Sequence, residues 1–135
     1  MLKLIIGAKG SGKTKTLIDL VNTALKNTNG SVVCIEKGDK LKFDISYHCR
    51  LMDTDQYKIA NAESLYGFVA GILASNHDVS DLFIDSALKI CENDQASFDE
   101  FLAKVSELVE KNGVNCVMTS SLHVENATAA EKQYL

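Results

Sequence analysis

"GAKGSGKT", Gly7 to Thr14, is the stretch on which the rest of the chain turns. Three glycines and two lysines fall within eight residues, directly after the apolar run "LKLII" (Leu2–Ile6). Glycine loses more conformational freedom on ordering than any other residue, so a loop this rich in it serves a backbone path that a Cβ would obstruct. "LKLII" reads as a short buried strand. "KTKTLIDLVNTALKN" (Lys13–Asn27) places Leu17, Ile18, Val21, Ala24 and Leu25 on one face of an amphipathic helix. Strand, glycine loop and helix in that order turn successive N–H groups inward beside the positive end of the helix dipole, which makes a concave site for an anion.

The spacing also fits G-x-x-x-x-G-K-[ST], the phosphate-binding loop. On that reading Gly7, Ala8, Lys9, Gly10, Ser11, Gly12, Lys13 and Thr14 cradle the phosphates of a nucleoside triphosphate. Lys13 brings a mobile cation to the β- and γ-phosphates, and Thr14 places its hydroxyl on Mg2+. The plainer reading is a glycine turn with a solvated lysine.

Working outward, "NTNG" stops the first helix and "SVVCIE" (Ser31–Glu36) is a second buried strand. "KGDKLKFDISY" (Lys37–Tyr47) reads as a hairpin or an irregular excursion, and "HCRLMD" (His48–Asp53) as a third strand. A helix is predicted over about Ala62 to Ser75, with Asn61 as its cap and Leu65, Val69, Ile72 and Leu73 as its apolar stripe. Gly67 and Gly71, four apart inside it, are expected to allow close packing on the sheet. "DLFID" (Asp81–Asp85) is the next strand. Ser97 with Glu100 has the form of a capping box, opening a helix with Phe98, Phe101, Leu102, Val105, Leu108 and Val109 inward and a stop near Gly113. "VNCVMT" (Val114–Thr119) is the last strand, and "NATAAEKQYL" adds a short terminal helix. No proline occurs, so reversals rest on Gly, Asn and Asp. This alternation predicts an α/β fold: one domain over residues 1–135, a three-layer α/β/α sandwich around a mostly parallel sheet.

Ligands of such sheets sit beyond the carboxyl ends of the strands. Asp85 closes the apolar run "LFI" in the manner of a Walker B aspartate, which holds Mg2+ opposite Thr14; the alternative is a turn-initiating aspartate. Asp81, at the other end, reads as a structural or solvated residue. Thr119, Ser120 and Ser121 follow the last strand, where a hydroxyl could sense the γ-phosphate or simply belong to a polar turn.

Through "GAKGSGKT" and "LFID" the chain resembles the P-loop NTPase superfamily. The polar residues after a strand beyond Asp85 look like the additional-strand division, with its RecA-like ATPases and thymidine kinases. The chain also looks like small P-loop proteins sometimes labelled twitching-motility ATPases, although it is too short for that motor's other domain. The resemblance implies ATP and Mg2+ as ligands and a hydrolase or phosphotransferase activity. It departs from many hydrolysing members at Ser86, where a glutamate commonly follows the Walker B aspartate. RecA-like proteins carry the catalytic glutamate on the neighbouring strand, a position matched here by Glu36. Lys13, Glu36 and Thr119 are thus the candidate catalytic residues, and Thr14 and Asp85 the candidate metal ligands. Arg50 is the only arginine, and it lies within a predicted strand. Any additional cation at the transition state therefore falls to Lys9, Lys37 or a protein partner. The leading expectation is an ATP-binding protein with slow or partner-stimulated hydrolysis. A nucleoside-type kinase with Lys37–Tyr47 or the C-terminal tail as its cover, and a non-catalytic nucleotide switch, are the alternatives. No N-K-x-D tetrad is present, which favours ATP over GTP.

Bulk properties limit the remaining classes. The net charge is −4, which argues against a large nucleic-acid footprint. Lys37, Lys40 and Lys42 are diluted by Glu36, Asp39 and Asp44. Cys34, Cys49, Cys91 and Cys116 form no C-x-x-C, and His48, His77 and His123 are scattered, so no metal cluster or disulfide framework is expected; Cys34 and Cys116, in apolar strands, read as core residues, and the composition fits a reducing compartment. No apolar run is long enough for a membrane span and the N-terminus does not read as a signal peptide, so a cytoplasmic protein with no membrane partner is expected.

Overall fold

In the computed structural model, which describes residues 1–135, the glycine loop joins β1 (Leu2–Gly7) to α1 (Lys13–Asn27). The chain continues through β2 (Ser31–Glu36), β3 (Arg50–Asp53), α2 (Ala62–Ser75), β4 (Val79–Ile84), α3 (Ala87–Ile90), α4 (Gln95–Asn112), β5 (Asn115–Ser121) and α5 (Ala129–Lys132). The five strands form one sheet in the order β1-β5-β4-β2-β3, and every neighbouring pair is parallel. The last strand in sequence thus inserts between the first and the fourth.

Strand side chains alternate between faces, and the two faces carry separate hydrophobic clusters. Val33, Ile35, Leu82, Ile84, Cys116 and Met118 meet α2, α3 and α4 through Leu65, Val69, Ala87, Leu88, Phe98, Leu102 and Val105. Val32, Cys34 and Phe83 meet α1 through Leu17 and Val21, together with Leu41, Ile45 and Cys49 from the excursion after β2. This arrangement is compatible with a three-layer α/β/α sandwich.

Several expected boundaries move. The strand predicted over Asp81–Asp85 runs from Val79 to Ile84, so Asp85 is the first residue beyond it, although its N–H still donates to the Ile35 carbonyl at 2.8 Å. β5 extends to Ser121, which makes Ser120 and Ser121 strand residues rather than a turn. The Ser97/Glu100 capping box does not form. Glu92 and Asn93, both left-handed, turn the chain early, α4 starts at Gln95, and the Ser97 hydroxyl donates to the Asp94 carbonyl at 3.1 Å. The Asn61 cap does form: its side chain accepts from the Ser64 N–H at 2.8 Å, and Ser64 Oγ accepts from the Asn61 N–H at 3.2 Å. Lys37–Tyr47 is a run of turns with no strand pairing, and the third strand shortens to Arg50–Asp53.

Gly67 and Gly71 do not pack on the sheet. Both are exposed, and a Cβ on either would meet nothing within 4 Å. The reason is helical periodicity. α2 buries Leu65, Val69 and Leu73, and a residue two positions away lies about 200° round the helix.

Candidate functional site

Backbone geometry explains the glycines of the loop. Gly10 and Gly12 have φ of 84° and 91°, left-handed values that side chains resist. At Gly7 a Cβ would lie 2.6 Å from Ser11 Oγ, so the Ser11 hydroxyl would have to turn away. The loop closes with Ser11 N–H donating to the Ala8 carbonyl at 3.1 Å, and Lys13 Nζ donates back to the same carbonyl at 2.9 Å. Gly12 is the N-cap of α1 and has no side chain to cap it, so the first N–H groups of a fifteen-residue helix face the loop with their partial positive charge.

The period of two brings the other strand ends to the same place. Phe83 packs on the α1 face, so Asp85, two residues on, emerges on that face against Thr14. Thr14 Oγ1 donates to Asp85 Oδ1 at 3.2 Å. Val117 also packs on the α1 side, so Thr119 and Ser121 follow it there. Thr119 Oγ1 donates to Asp85 Oδ1 at 2.7 Å and accepts from the Ser86 N–H at 2.9 Å. Ser120 has the opposite parity and accepts from the Leu88 N–H on the other face at 3.2 Å. Of the three hydroxyl residues, Thr119 touches Asp85 and Ser121 lines the adjoining cleft, whereas Ser120 anchors α3.

These residues border a cleft of about 630 Å³. Its lining contains five lysines, Lys9, Lys13, Lys15, Lys40 and Lys89, and a single carboxylate, Asp85. In a chain of net charge −4 this is a local concentration of positive charge at a helix N-terminus. Lys40 and Lys89 are not evident as site residues in the sequence. Lys89 lies four residues after Asp85 on the short α3, and Lys40 lies four residues after Glu36.

Glu36 shares the face of Cys34 and therefore of α1, and β2 lies directly beside β4. Its carboxylate is nevertheless buried and does not line the cleft. It accepts the N–H groups of Lys40 at 3.1 Å and Leu41 at 3.2 Å. Burial pushes its pKa up, and the two amide bonds oppose that shift. Lys37 is likewise directed elsewhere, paired with Asp55 at 2.8 Å. Arg50 begins β3 at the sheet edge, outside the cleft. All four cysteines are buried, and none is paired with another. Burial raises their thiols, Cys49 to about 11 and Cys91 and Cys116 to about 12, so they remain protonated core residues.

The donor chemistry fits a hard cation. One carboxylate and two hydroxyls converge at Asp85, and Mg2+ takes few protein oxygens while keeping several waters. The lysines and loop amides fit phosphate groups. No helix of the chain is long and apolar enough to cross a membrane. No family model matches the chain, and no curated protein matches it closely enough to count as a relative.

Proposed function

We propose that this chain is a P-loop protein that binds a nucleoside triphosphate, ATP, together with Mg2+, and turns it over slowly or only with a partner. The observation that carries the reading is the convergence of Lys13, Thr14 and Asp85, far apart in sequence, at one lysine-rich cleft in front of a helix N-terminus. The position of β5 between β1 and β4 supports the additional-strand kind of P-loop fold.

The chain's own groups have separate tasks. Loop amides and the end of α1 hold the phosphates, and the Lys13 ammonium leaves the Ala8 carbonyl to pair with them. Thr14 and Asp85 would hold Mg2+, which when bound neutralises charge on the phosphate oxygens. Thr119 orients the Asp85 carboxylate by its short hydrogen bond.

Slow turnover follows from what the cleft presents to a water. Asp85 is its only carboxylate, Ser86 replaces the usual glutamate, and Glu36 is occupied by two backbone amides. Those bonds favour the nucleotide-switch reading as the second choice over autonomous hydrolysis. The kinase alternative calls for an acceptor site that the cleft lining does not single out.

The test is ATP and ADP binding with Mg2+, followed by phosphate release with and without a panel of nucleosides. Lys13→Ala is expected to weaken ATP binding by about tenfold or more while leaving the fold intact, the scale of one charge-assisted contact. Unchanged affinity in the folded variant would sink the phosphate-loop assignment. A phosphorylated nucleoside would move the reading to a kinase, and binding without phosphate release would move it to a switch.

A further inference from the structure

The excursion between β2 and β3 carries three lysines, and their surroundings differ. Lys37 is paired with Asp55 and Lys42 with Asp39. Lys40 forms no ion pair and lines the phosphate cleft. The backbone beneath it is fixed from two directions. The buried Glu36 carboxylate accepts the N–H groups of Lys40 and Leu41, and the Leu41 side chain, 3% exposed, packs with Leu17 and Val21 of α1. A glutamate at a strand end with both bonds committed to one turn holds that turn in place. The cost of burying its charge is offset only while those amides are supplied.

We propose that Lys40 senses the terminal phosphate of the bound nucleotide, and that Glu36 acts through it as a positioning residue. This rests on the nucleotide-binding reading above. In the sheet, β2 lies beyond β4 as seen from β1. Lys40 follows β2 and Asp85 follows β4, so both line the cleft from strands on the side of β5 away from β1. A phosphate chain held by the loop at one end and by the Thr14–Asp85 pair at the other offers its last phosphate to Lys40. A diphosphate ends short of it. Because the ammonium has an anchored root and forms no ion pair, it makes a charge-assisted contact with triphosphate alone. Glu36 thereby links the presence of that phosphate to the conformation of residues 37–47, the surface on which Phe43 and Tyr47 are each 89% exposed.

The experiment is calorimetric titration of Mg-ATP and Mg-ADP into the full chain and its variants, each checked for folding by thermal unfolding. Lys40→Met is expected to weaken ATP binding about tenfold or more and ADP binding by less than about twofold, as loss of one charged contact to the third phosphate predicts. Lys40→Arg should keep the preference for ATP. Glu36→Gln removes one acceptor and sets an NH2 against a backbone N–H, so it should reproduce the Lys40→Met pattern. The double variant should be no worse than Lys40→Met alone, because both act through one contact. Equal losses for ATP and ADP in Lys40→Met, or no loss, overturn the proposal. Multiplying effects in the double variant also overturn it and give Glu36 an action of its own on the nucleotide. Lys40 is exposed, so Lys40→Met decides the matter even if Glu36→Gln does not fold. Failure of the wild-type chain to bind ATP, or binding indifferent to Lys13→Ala, would instead remove the nucleotide reading and this inference with it.

Discussion

Asp85 has two hydroxyl donors on one oxygen, Thr14 and Thr119. Asn at this position keeps the shape and loses the charge that attracts a divalent cation. Asp85→Asn is therefore expected to weaken ATP binding in the presence of Mg2+ by about tenfold or more and to change metal-free binding far less. Equal effects with and without Mg2+ would take Asp85 out of the metal site. The same scale of reasoning applies away from the cleft. Gly67 and Gly71 have open space where a Cβ would stand, and each sits inside a helix. Gly67→Ala and Gly71→Ala should each stabilise the protein by about 0.5–1 kcal/mol in urea unfolding, with the slope unchanged. Destabilisation would mean that the outer face of α2 is covered in solution.

Among the elements, α5 depends on one buried carboxyl. Glu131 is fully buried. Its Oε1 accepts from the Thr128 N–H at 2.9 Å and from Gln95 Nε2 at 2.8 Å, which closes the cap of α5 and ties it to α4. Its Oε2 and Asp99 Oδ1 are buried with no donor. Burial and the Asp99 carboxyl raise the Glu131 pKa above its ordinary 4.5, so a proton on Glu131 completes the contact. Because the folded value is the higher one, the stabilisation is fully present below 4.5 and is lost as pH rises through the raised value. Glu131→Gln supplies an N–H to Asp99 at every pH. It should match the wild type at low pH and exceed its unfolding free energy by about 1 kcal/mol at neutral pH. A wild-type advantage that grows with pH would contradict this account. The Ser97/Glu100 capping box, by contrast, was a correct local pattern without a helix start. Tertiary connection through α3 set the first turn of α4, and the functioning box at Thr128 and Glu131 lies in the segment whose sequence promised only a short helix.

For the molecule as a whole, the cleft exists only when four strand ends are side by side, since it draws on residues after β1, β2 and β4 and on β5 itself. A ligand of this site binds the folded chain and not the unfolded one. Mg-ATP at about 100 times its dissociation constant should therefore raise the unfolding free energy by about 2.7 kcal/mol. Calorimetric or urea unfolding checks this, and Lys13→Ala, binding about tenfold or more weakly, should cut the gain to about 1.4 kcal/mol or less at the same nucleotide concentration. An equal gain in that variant would place the nucleotide elsewhere. The five cleft lysines also predict that affinity falls as salt is raised, which titrations at two ionic strengths would detect.

What the sequence determined by itself was local and periodic. The glycine loop, the α1 stripe, the cap at Asn61 and the alternation of strands and helices follow from turn chemistry and from periods of 3.6 and 2 within a few residues. The parity that sets Ser120 apart from Thr119 and Ser121 came with the structure, where β5 continues to Ser121 past the expected strand end at Thr119. The helical period also puts Gly67 and Gly71 away from Leu65 and Val69, which the expectation of close packing on the sheet overlooked. Tertiary structure decided which strand ends meet. The order β1-β5-β4-β2-β3 brings Thr119 to Asp85 and β2 to β4. The turns after β2 then capture the Glu36 carboxylate and present Lys40 in its place. Nothing in "EKGDK" selects Lys40 over Lys37, because the choice rests on where Asp55 and Leu17 lie in space. Partners so distant along the chain are set by packing of the whole sheet, and no window of sequence contains them.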